Sequence, residues 1–123
     1  MPEYRIMIVD DETEVREGIA SRVDWKAAGF TIVATAENGQ DALEKAEFLD
    51  LDVVLTDIKM PYMDGLTLDA ELLSRYPATK LIILSGFDEY EYAQEKIKLN
   101  VLEHVLKPVN ADELLLVLQR ANA

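Results

Sequence analysis

Short apolar runs alternate with amphipathic stretches along the whole chain. The first run, Ile6-Met7-Ile8-Val9, is too short for a helix and is continuously apolar rather than alternating. That pattern is typical of a strand that is covered on both faces, as in a parallel sheet. Runs of this kind predict five strands, at residues 6–9, 31–36, 53–55, 81–84 and 104–106.

A stretch with helical spacing follows each predicted strand. After the first strand, Val15, Ile19 and Val23 lie four residues apart on one side of a helix, and Arg16 falls on the opposite side with other charged residues. The spacing predicts five helices, which begin near Thr13, Ala42, Leu66, Asp88 and Asn110 and end near Val23, Leu49, Tyr76, Leu99 and Arg120.

The repeated order of strand and helix predicts an α/β fold. Alternating units of this kind form a parallel sheet with helices on both faces, joined by right-handed crossovers. With 123 residues, the chain is long enough for one domain whose core needs no metal or disulfide. Functional groups in such folds gather at the carboxyl ends of the strands. The residues that follow each strand are therefore the candidates for a functional site.

The acidic composition limits the classes of partner. The chain has 24 Asp and Glu residues against 12 Lys and Arg residues, for a formal net charge of -12. Such a surface repels phosphate, so we expect no direct binding to nucleic acid or to anionic membranes. There is no cysteine, which fits a reducing cytoplasm, and no apolar run approaches a membrane span. Because residues 1–4 lack the pattern of a secretion signal, we expect a soluble cytoplasmic domain.

Acidic side chains follow two of the predicted strands. Asp10 and Asp11 come directly after the first strand and Asp57 after the third, while Ser85 follows the fourth and Lys107 the fifth. Three converging carboxylates would repel one another unless a cation lay between them. A ligand set made only of oxygen atoms, beside an open coordination position, suits Mg²⁺. The pattern therefore predicts a magnesium site at the carboxyl ends of the strands.

Asp57 is the candidate nucleophile of this site. A carboxylate is deprotonated at neutral pH, so it could attack a phosphoryl group in line without a base, which would form an acyl phosphate. Lys107 would place a positive charge on one phosphoryl oxygen, and the Ser85 hydroxyl could donate to another. Taken alone, Asp57 is more simply explained as a turn cap before Pro61, and only the joint pattern favours the nucleophile.

Four motifs together resemble the receiver domain of bacterial two-component response regulators. They are Val9-Asp10-Asp11-Glu12, Leu55-Thr56-Asp57-Ile58-Lys59-Met60-Pro61 with Met63-Asp64-Gly65, Leu84-Ser85-Gly86 and Leu106-Lys107-Pro108. The resemblance spans the whole chain and implies a flavodoxin-like (CheY-like), doubly wound sheet of five parallel strands in the order 2-1-3-4-5. It also implies that a sensor histidine kinase transfers a phosphoryl group from its phosphohistidine to Asp57.

The resemblance implies a role for each residue of the site. Asp11, Asp57 and the backbone carbonyl of Lys59 would ligate Mg²⁺ directly, and Asp10 would act through a water molecule. The Lys107-Pro108 peptide is expected to be cis, which would direct the lysine into the site.

The switch implied by the family involves Ser85 and the fifth strand. Ser85 would follow the phosphoryl group, and a strand residue, usually aromatic, would turn inward with it; here that position is His104. We favour His104, the only histidine, as a packing residue that takes part in switching, over a phosphate ligand or an acid–base group. Residues 114–118 of the last helix are apolar on all sides, which predicts an exposed interface unless that helix is deeply buried. This helix, the fourth helix and the fifth strand would then bind a second copy or an output domain.

A further resemblance concerns what lies beyond these residues. Asp24-Trp25 with Gly29-Phe30, the stretch 85–93 and the ending 106–109 are similar to receivers attached to AraC-type helix-turn-helix domains. We therefore expect residues 1–123 to be one receiver domain from a longer transcription factor with a C-terminal DNA-binding output domain. The alternative is a stand-alone receiver of a phosphorelay without a DNA-binding output.

Two other classes compete with this interpretation. A metal-dependent phosphohydrolase would want a second acid two residues after its nucleophile, where this chain has Lys59. A nucleotide- or flavin-binding module would need a glycine-rich loop after the first strand, where Asp10-Asp11-Glu12 would repel phosphate. The prediction is therefore a signalling phospho-acceptor and not an enzyme that turns over external substrates.

Overall fold

The computed structural model describes residues 3–86, 101–107 and 110–121. The predicted helix at residues 88–99 lies outside the described residues, as does Pro108 of the predicted cis peptide. The described elements are β1 (Tyr4–Val9), α1 (Thr13–Arg22), β2 (Phe30–Ala36), α2 (Gly39–Ala46), β3 (Val53–Asp57), α3 (Gly65–Arg75), β4 (Lys80–Ser85), β5 (Val101–Leu106) and α4 (Ala111–Ala121).

The strands form one parallel sheet in the order β2-β1-β3-β4-β5, which confirms the predicted topology. The register aligns the ends of the last three strands in this order, because Asp57 pairs with Leu84 and Ser85 pairs with Leu106. All strands run in one direction, so the residues that follow them reach a single edge of the sheet. We call it the carboxyl edge.

Apolar side chains cover both faces of the sheet. On the first face, buried strand residues form a cluster with α1 and α4, and on the second face with α2 and α3. Within β1, Ile6 and Ile8 belong to the first cluster, and Met7 and Val9 belong to the second. None of these four side chains is more than 1% exposed. The continuous apolar pattern thus reflects a strand buried on both faces, as predicted.

The long connection between α1 and β2 is packed onto the first face. Trp25 and Phe30 are 8% and 1% exposed and belong to the first cluster. The indole N–H of Trp25 donates to the carbonyl of Ala20 at 3.0 Å, which ties the connection to the last turns of α1. These two aromatic residues thus pack the connection onto the core.

Side-chain caps set the start of three helices. Asn38, Asp64 and Asn110 each accept a hydrogen bond from a backbone N–H three residues later, at 2.7, 2.8 and 2.7 Å.

The predicted ends of two helices were wrong. Val23 has extended backbone, with φ of -119° and ψ of 139°, and lies just beyond α1. Leu49 likewise lies beyond the end of α2.

Helix α4 has a buried apolar side and an apolar residue that is exposed. Leu114, Val117 and Leu118 are buried against the first face, whereas Leu116 is 56% exposed. The expectation that part of this apolar run is exposed is confirmed. Among the residues that the structure describes, no helix is long and apolar enough to cross a membrane.

Candidate phosphoryl-acceptor site

Three carboxylates lie together at the carboxyl edge. Asp10 directly follows β1, Asp11 comes next, and Asp57 is the last residue of β3. One oxygen atom from each of them lies within 4.8 Å of the others. Asp10 and Asp57 are buried, whereas Asp11 is exposed. The structure thus brings together the three acids that the sequence pattern singled out.

Lys107 lies against two of these acids. Its Nζ atom is 2.9 Å from Oδ1 of Asp57 and 3.2 Å from Oδ2 of Asp10. Its backbone N–H donates to the carbonyl of Ser85 at 2.8 Å, which fixes the residue after β5 to the end of β4. Burial lowers the pKa of Lys107, but hydrogen bonds and charge from Asp57 and Asp10 outweigh burial, so this pKa lies above its usual value. The ammonium group therefore stays charged at neutral pH.

A glycine lets α3 begin directly behind Asp57. The N–H of Gly65 donates to the carbonyl of Ile58 at 2.8 Å. A Cβ atom at position 65 would overlap the carbonyl oxygen of Asp57 and lie 2.9 Å from Cα of Ile58. The backbone N–H of Ile58 also donates to Oδ1 of Asp57 at 3.0 Å. The position and orientation of Asp57 thus depend on a close backbone contact that only glycine allows.

The same loop contains a turn that the sequence reasoning missed. Tyr62 has a φ of 70°, in the left-handed region that bulky residues rarely adopt. The N–H of Met63 donates to the carbonyl of Pro61 at 2.8 Å, so Tyr62 lies at the centre of a three-residue γ-turn. The Met63 side chain occupies the space in which a Cβ at Gly39 would lie, whereas Tyr62 is fully exposed. The turn therefore directs Met63 inward and Tyr62 outward.

Arg16 makes a contact that its position on α1 does not predict. Its helical spacing assigned it to the outer side of α1, but its guanidinium group reaches back to the connection that carries Asp10 and Asp11. Nη1 donates to the backbone carbonyl of Asp10 at 2.5 Å, and Nη2 donates to Oγ1 of Thr13 at 3.1 Å. The backbone N–H of Glu12 donates to Oδ1 of Asp10 at 2.9 Å. Asp10 is thus held through both its carbonyl and its carboxylate.

The two predicted switch residues are in direct contact. Ser85 is fully buried at the end of β4, and its Oγ atom lies 2.6 Å from Nε2 of His104. His104 is half-buried on β5 and pairs with Ile83 in the register. Burial lowers the pKa of His104 below its usual value. The sequence pattern predicted a packing role for His104 but not this hydrogen bond.

The donor set of the cluster suits a hard divalent cation. Three carboxylates converge, and the ammonium group of Lys107 alone leaves their charge incompletely balanced. Ligands of this type and number are those with which proteins bind Mg²⁺. Lys59, whose carbonyl is the expected further ligand, lies two residues after Asp57 and has an exposed side chain. Its part in binding stays a prediction.

A third buried carboxyl group lies outside this cluster, on α3. Asp69 is 0% exposed, and within the described part of the chain neither of its oxygens has a hydrogen-bond partner. Burial and the nearby charge of Asp64 raise the pKa of Asp69 well above its ordinary value. The sequence reasoning missed this residue, although a signal existed, because Gly65, Leu68, Asp69 and Leu72 share the helical spacing of an inward stripe.

Comparisons with known proteins agree on one family. Residues 6–119 match the family described as the response regulator receiver domain. The chain is 38% identical over 112 residues to the uncharacterized transcriptional regulatory protein YesN of Bacillus subtilis (strain 168), a match that covers 91% of this chain and 30% of YesN. The chain thus spans less than a third of the length of that relative.

Two solved structures are similar over nearly the whole chain. The REC domain of AraT, a response regulator from Geobacillus stearothermophilus, has a TM-score of 0.91 at 40% identity, covering 98% of this chain and 93% of that one. The two component transcriptional regulator AraC from Clostridium phytofermentans ISDg has a TM-score of 0.90 at 35% identity, with the same two coverages.

Proposed function

Because this chain belongs to the response regulator receiver domain family, we propose that it receives the signal of a two-component system by accepting a phosphoryl group on Asp57. The observation that carries the proposal is the contact between Asp57 and Lys107, at 2.9 Å, inside a cluster of three carboxylates. A structural salt bridge alone would not account for two further acids beside an already paired aspartate. A nucleophilic carboxylate beside cation-binding acids and one fixed lysine suits phosphoryl transfer, in which positive charge must neutralise the transferring oxygens.

The proposed reaction moves the phosphoryl group between two side chains. A carboxylate oxygen of Asp57 attacks the phosphorus of a phosphohistidine on a sensor histidine kinase. The P–O bond to Asp57 forms as the P–N bond to the imidazole breaks, and the released imidazole takes up a proton as needed. Lys107 lies where its positive charge can balance one oxygen of the transferring group. Later attack by water on the acyl phosphate returns Asp57 and inorganic phosphate.

The reaction is proposed to depend on Mg²⁺. Asp10, Asp11 and Asp57 would hold the ion, together with the backbone carbonyl of Lys59. When bound, Mg²⁺ supplies positive charge that offsets the phosphoryl oxygens and the carboxylates. Since the nucleophile is followed two residues later by Lys59 and not by an acid, the chain is proposed to catalyse only its own phosphorylation and dephosphorylation.

The proposed readout lies on the β5 and α4 side of the domain. Ser85, which now bonds His104, would move to the phosphoryl oxygen, and His104 would then reorient. Leu106 of β5 and Leu116 of α4 are 37% and 56% exposed, so each of these two elements carries an apolar side chain at the surface of the domain. We propose that this surface, together with the predicted helix at 88–99, mediates dimerisation or binds an output domain.

Transcriptional control is the proposed output. YesN and the Clostridium phytofermentans protein are both named as transcriptional regulators, and both resemble this chain over most of its length. A C-terminal DNA-binding domain of AraC type, acting in the cytoplasm, is therefore proposed to follow this domain in the full-length protein. A stand-alone receiver of a phosphorelay is the second candidate, and the coding sequence after residue 123 distinguishes the two.

The direct test is phosphorylation by a small donor. Purified protein is incubated with phosphoramidate and Mg²⁺, and its intact mass is measured. We expect one added phosphoryl group, which is absent when EDTA replaces Mg²⁺ and absent in Asp57→Asn. The matched control is Asp50→Asn, which removes one exposed carboxylate away from the cluster and should leave labelling unchanged. Labelling of Asp57→Asn to the wild-type extent would refute the assignment.

A further inference from the structure

The connection between β1 and α1 carries two of the three acids, and the part of it that follows the buried Asp10 is exposed. Glu12 occupies the N-cap position of α1, and its side chain makes no capping hydrogen bond. Asp11, Glu12 and Thr13 are all exposed, so packing does not fix their positions. A loop that must present carboxylates to one point in space needs another restraint, because a loosely held ligand loses conformational entropy when it binds.

Arg16 supplies that restraint. It lies one helical turn into α1, and its two terminal nitrogens donate to opposite ends of the connection, at the carbonyl of Asp10 and the hydroxyl of Thr13. The planar guanidinium group fixes the relative position of these two acceptors, which a single flexible amine cannot do. Asp11 is the residue that follows the clamped carbonyl, so the direction of its side chain depends on the clamp.

We propose that Arg16 is a positioning residue for the cation site, and that divalent-cation affinity depends on its two hydrogen bonds to the connection. This inference rests on the proposed cation-dependent phosphorylation of Asp57. Arg16 touches neither a carboxylate oxygen of the cluster nor the reacting atoms in the contacts that the structure describes. Its effect is exerted through the backbone of Asp10.

Two effects of Arg16 on cation affinity have opposite signs, which makes the inference testable. Its positive charge, near the cluster, repels a cation and by itself weakens binding. Its hydrogen bonds order the ligands and strengthen binding; partners that orient metal ligands commonly change affinity by about 10–100-fold. If positioning dominates, removal of Arg16 weakens binding even though it also removes a repulsive charge.

The experiment is calorimetric titration of the full chain with Mg²⁺, without phosphodonor. We expect Arg16→Met to raise the Kd for Mg²⁺ about tenfold. Arg16→Lys keeps the positive charge but loses the pair of donor nitrogens, and it should raise the Kd by a smaller factor. Arg22→Met removes the same charge from an exposed position in the last turn of α1 and serves as the matched control; its Kd should stay within about twofold of wild type, because solvent and salt screen an exposed charge.

Each other outcome rejects the inference. A lower Kd for Arg16→Met would mean that charge repulsion dominates, and an unchanged Kd with a lower melting temperature would mean a purely structural role. If Arg16→Met does not fold, as judged by circular dichroism, the milder Arg16→Lys decides. Failure of the proposed function is separate, since it would appear as a wild-type chain that neither binds Mg²⁺ nor is labelled at Asp57.

Discussion

Asp69 differs from the acids of the cluster because it is buried without a positive partner among the described residues. Asp57 and Asp10 are also buried, but both contact Lys107. For Asp69, neither carboxyl oxygen has a hydrogen-bond partner in the described structure, and the charge that acts on it is that of Asp64, which has the same sign. The protonated form of Asp69 is therefore favoured in the folded state.

This raised pKa has a defined effect on stability. An unfolded Asp has a pKa of about 3.9, so between that pH and the raised folded pKa the folded state binds more protons than the unfolded state. The contribution of Asp69 to the free energy of unfolding is consequently greatest at acid pH and is lost as pH rises through the folded pKa.

We expect Asp69→Leu to raise the free energy of unfolding at neutral pH by about 1–3 kcal/mol, because it removes a buried group without a partner. Urea unfolding of wild type and variant between acid and neutral pH measures this difference. The gain should grow with pH. Asp69→Asn, which cannot ionise, should show the same pH trend with a smaller gain. A gain that does not change with pH would contradict the assigned cause.

The sequence predicted which residues lie together where charged residues directly follow the predicted strands. The convergence of Asp10, Asp11, Asp57 and Lys107 could be predicted because parallel topology carries strand ends to one edge. The clamp formed by Arg16 could not, because a long side chain can reach either away from its helix or back along it, and spacing alone does not decide between the two.

Among the described elements, the loop between β3 and α3 is constrained at two points. Gly65 lies against the backbone of Asp57, and the turn at Tyr62 occupies the left-handed region. The strands were predictable because burial on both faces leaves a continuous apolar pattern. The turn was not, because its backbone angles depend on the inward packing of Met63 and on the close contact at Gly65, neither of which is local in sequence.

Replacing either of two helical glycines with alanine should change the free energy of unfolding, but in opposite directions. Gly65→Ala should lower the free energy of unfolding by about 1–3 kcal/mol, because a Cβ there overlaps backbone atoms that cannot move aside. A methyl group at Gly18, within α1, would meet no atom within 4 Å outside the backbone of its own helix. Gly18→Ala should therefore raise the free energy of unfolding by about 0.5–1 kcal/mol.

Urea unfolding measures both substitutions, and labelling by phosphoramidate measures the site. We expect Gly65→Ala to slow labelling of Asp57 and Gly18→Ala to leave it unchanged. Equal stability of the two variants would show that the contact at Gly65 does not constrain the loop.

On the scale of the whole molecule, acidic charge is in excess and part of it is concentrated at one edge. The net charge is -12, and three carboxylates share the cluster with one lysine. Binding of a divalent cation to the folded state alone should therefore stabilise the domain, with a gain of about 1.4 kcal/mol when free Mg²⁺ is ten times its Kd.

Thermal unfolding with increasing MgCl₂ tests this expectation, with NaCl at equal ionic strength as the control for general screening of charge. The melting temperature should rise more with MgCl₂ than with NaCl, and the additional rise should disappear in Asp11→Asn. Equal shifts for the two salts would indicate that Mg²⁺ acts only as an electrolyte and has no site at the carboxyl edge.

The packing of Trp25 has a consequence for how the molecule can be observed. It is the only tryptophan, and it belongs to the cluster that joins the sheet to α1 and α4. Its fluorescence therefore reports the unfolding of the helical layer on the first face, whereas far-ultraviolet circular dichroism reports the loss of secondary structure in both layers. Coincident unfolding curves from the two signals would establish that the layers separate in one cooperative step. The domain thus contains an optical marker for one layer, placed away from α3, where Gly65 and Asp69 lie.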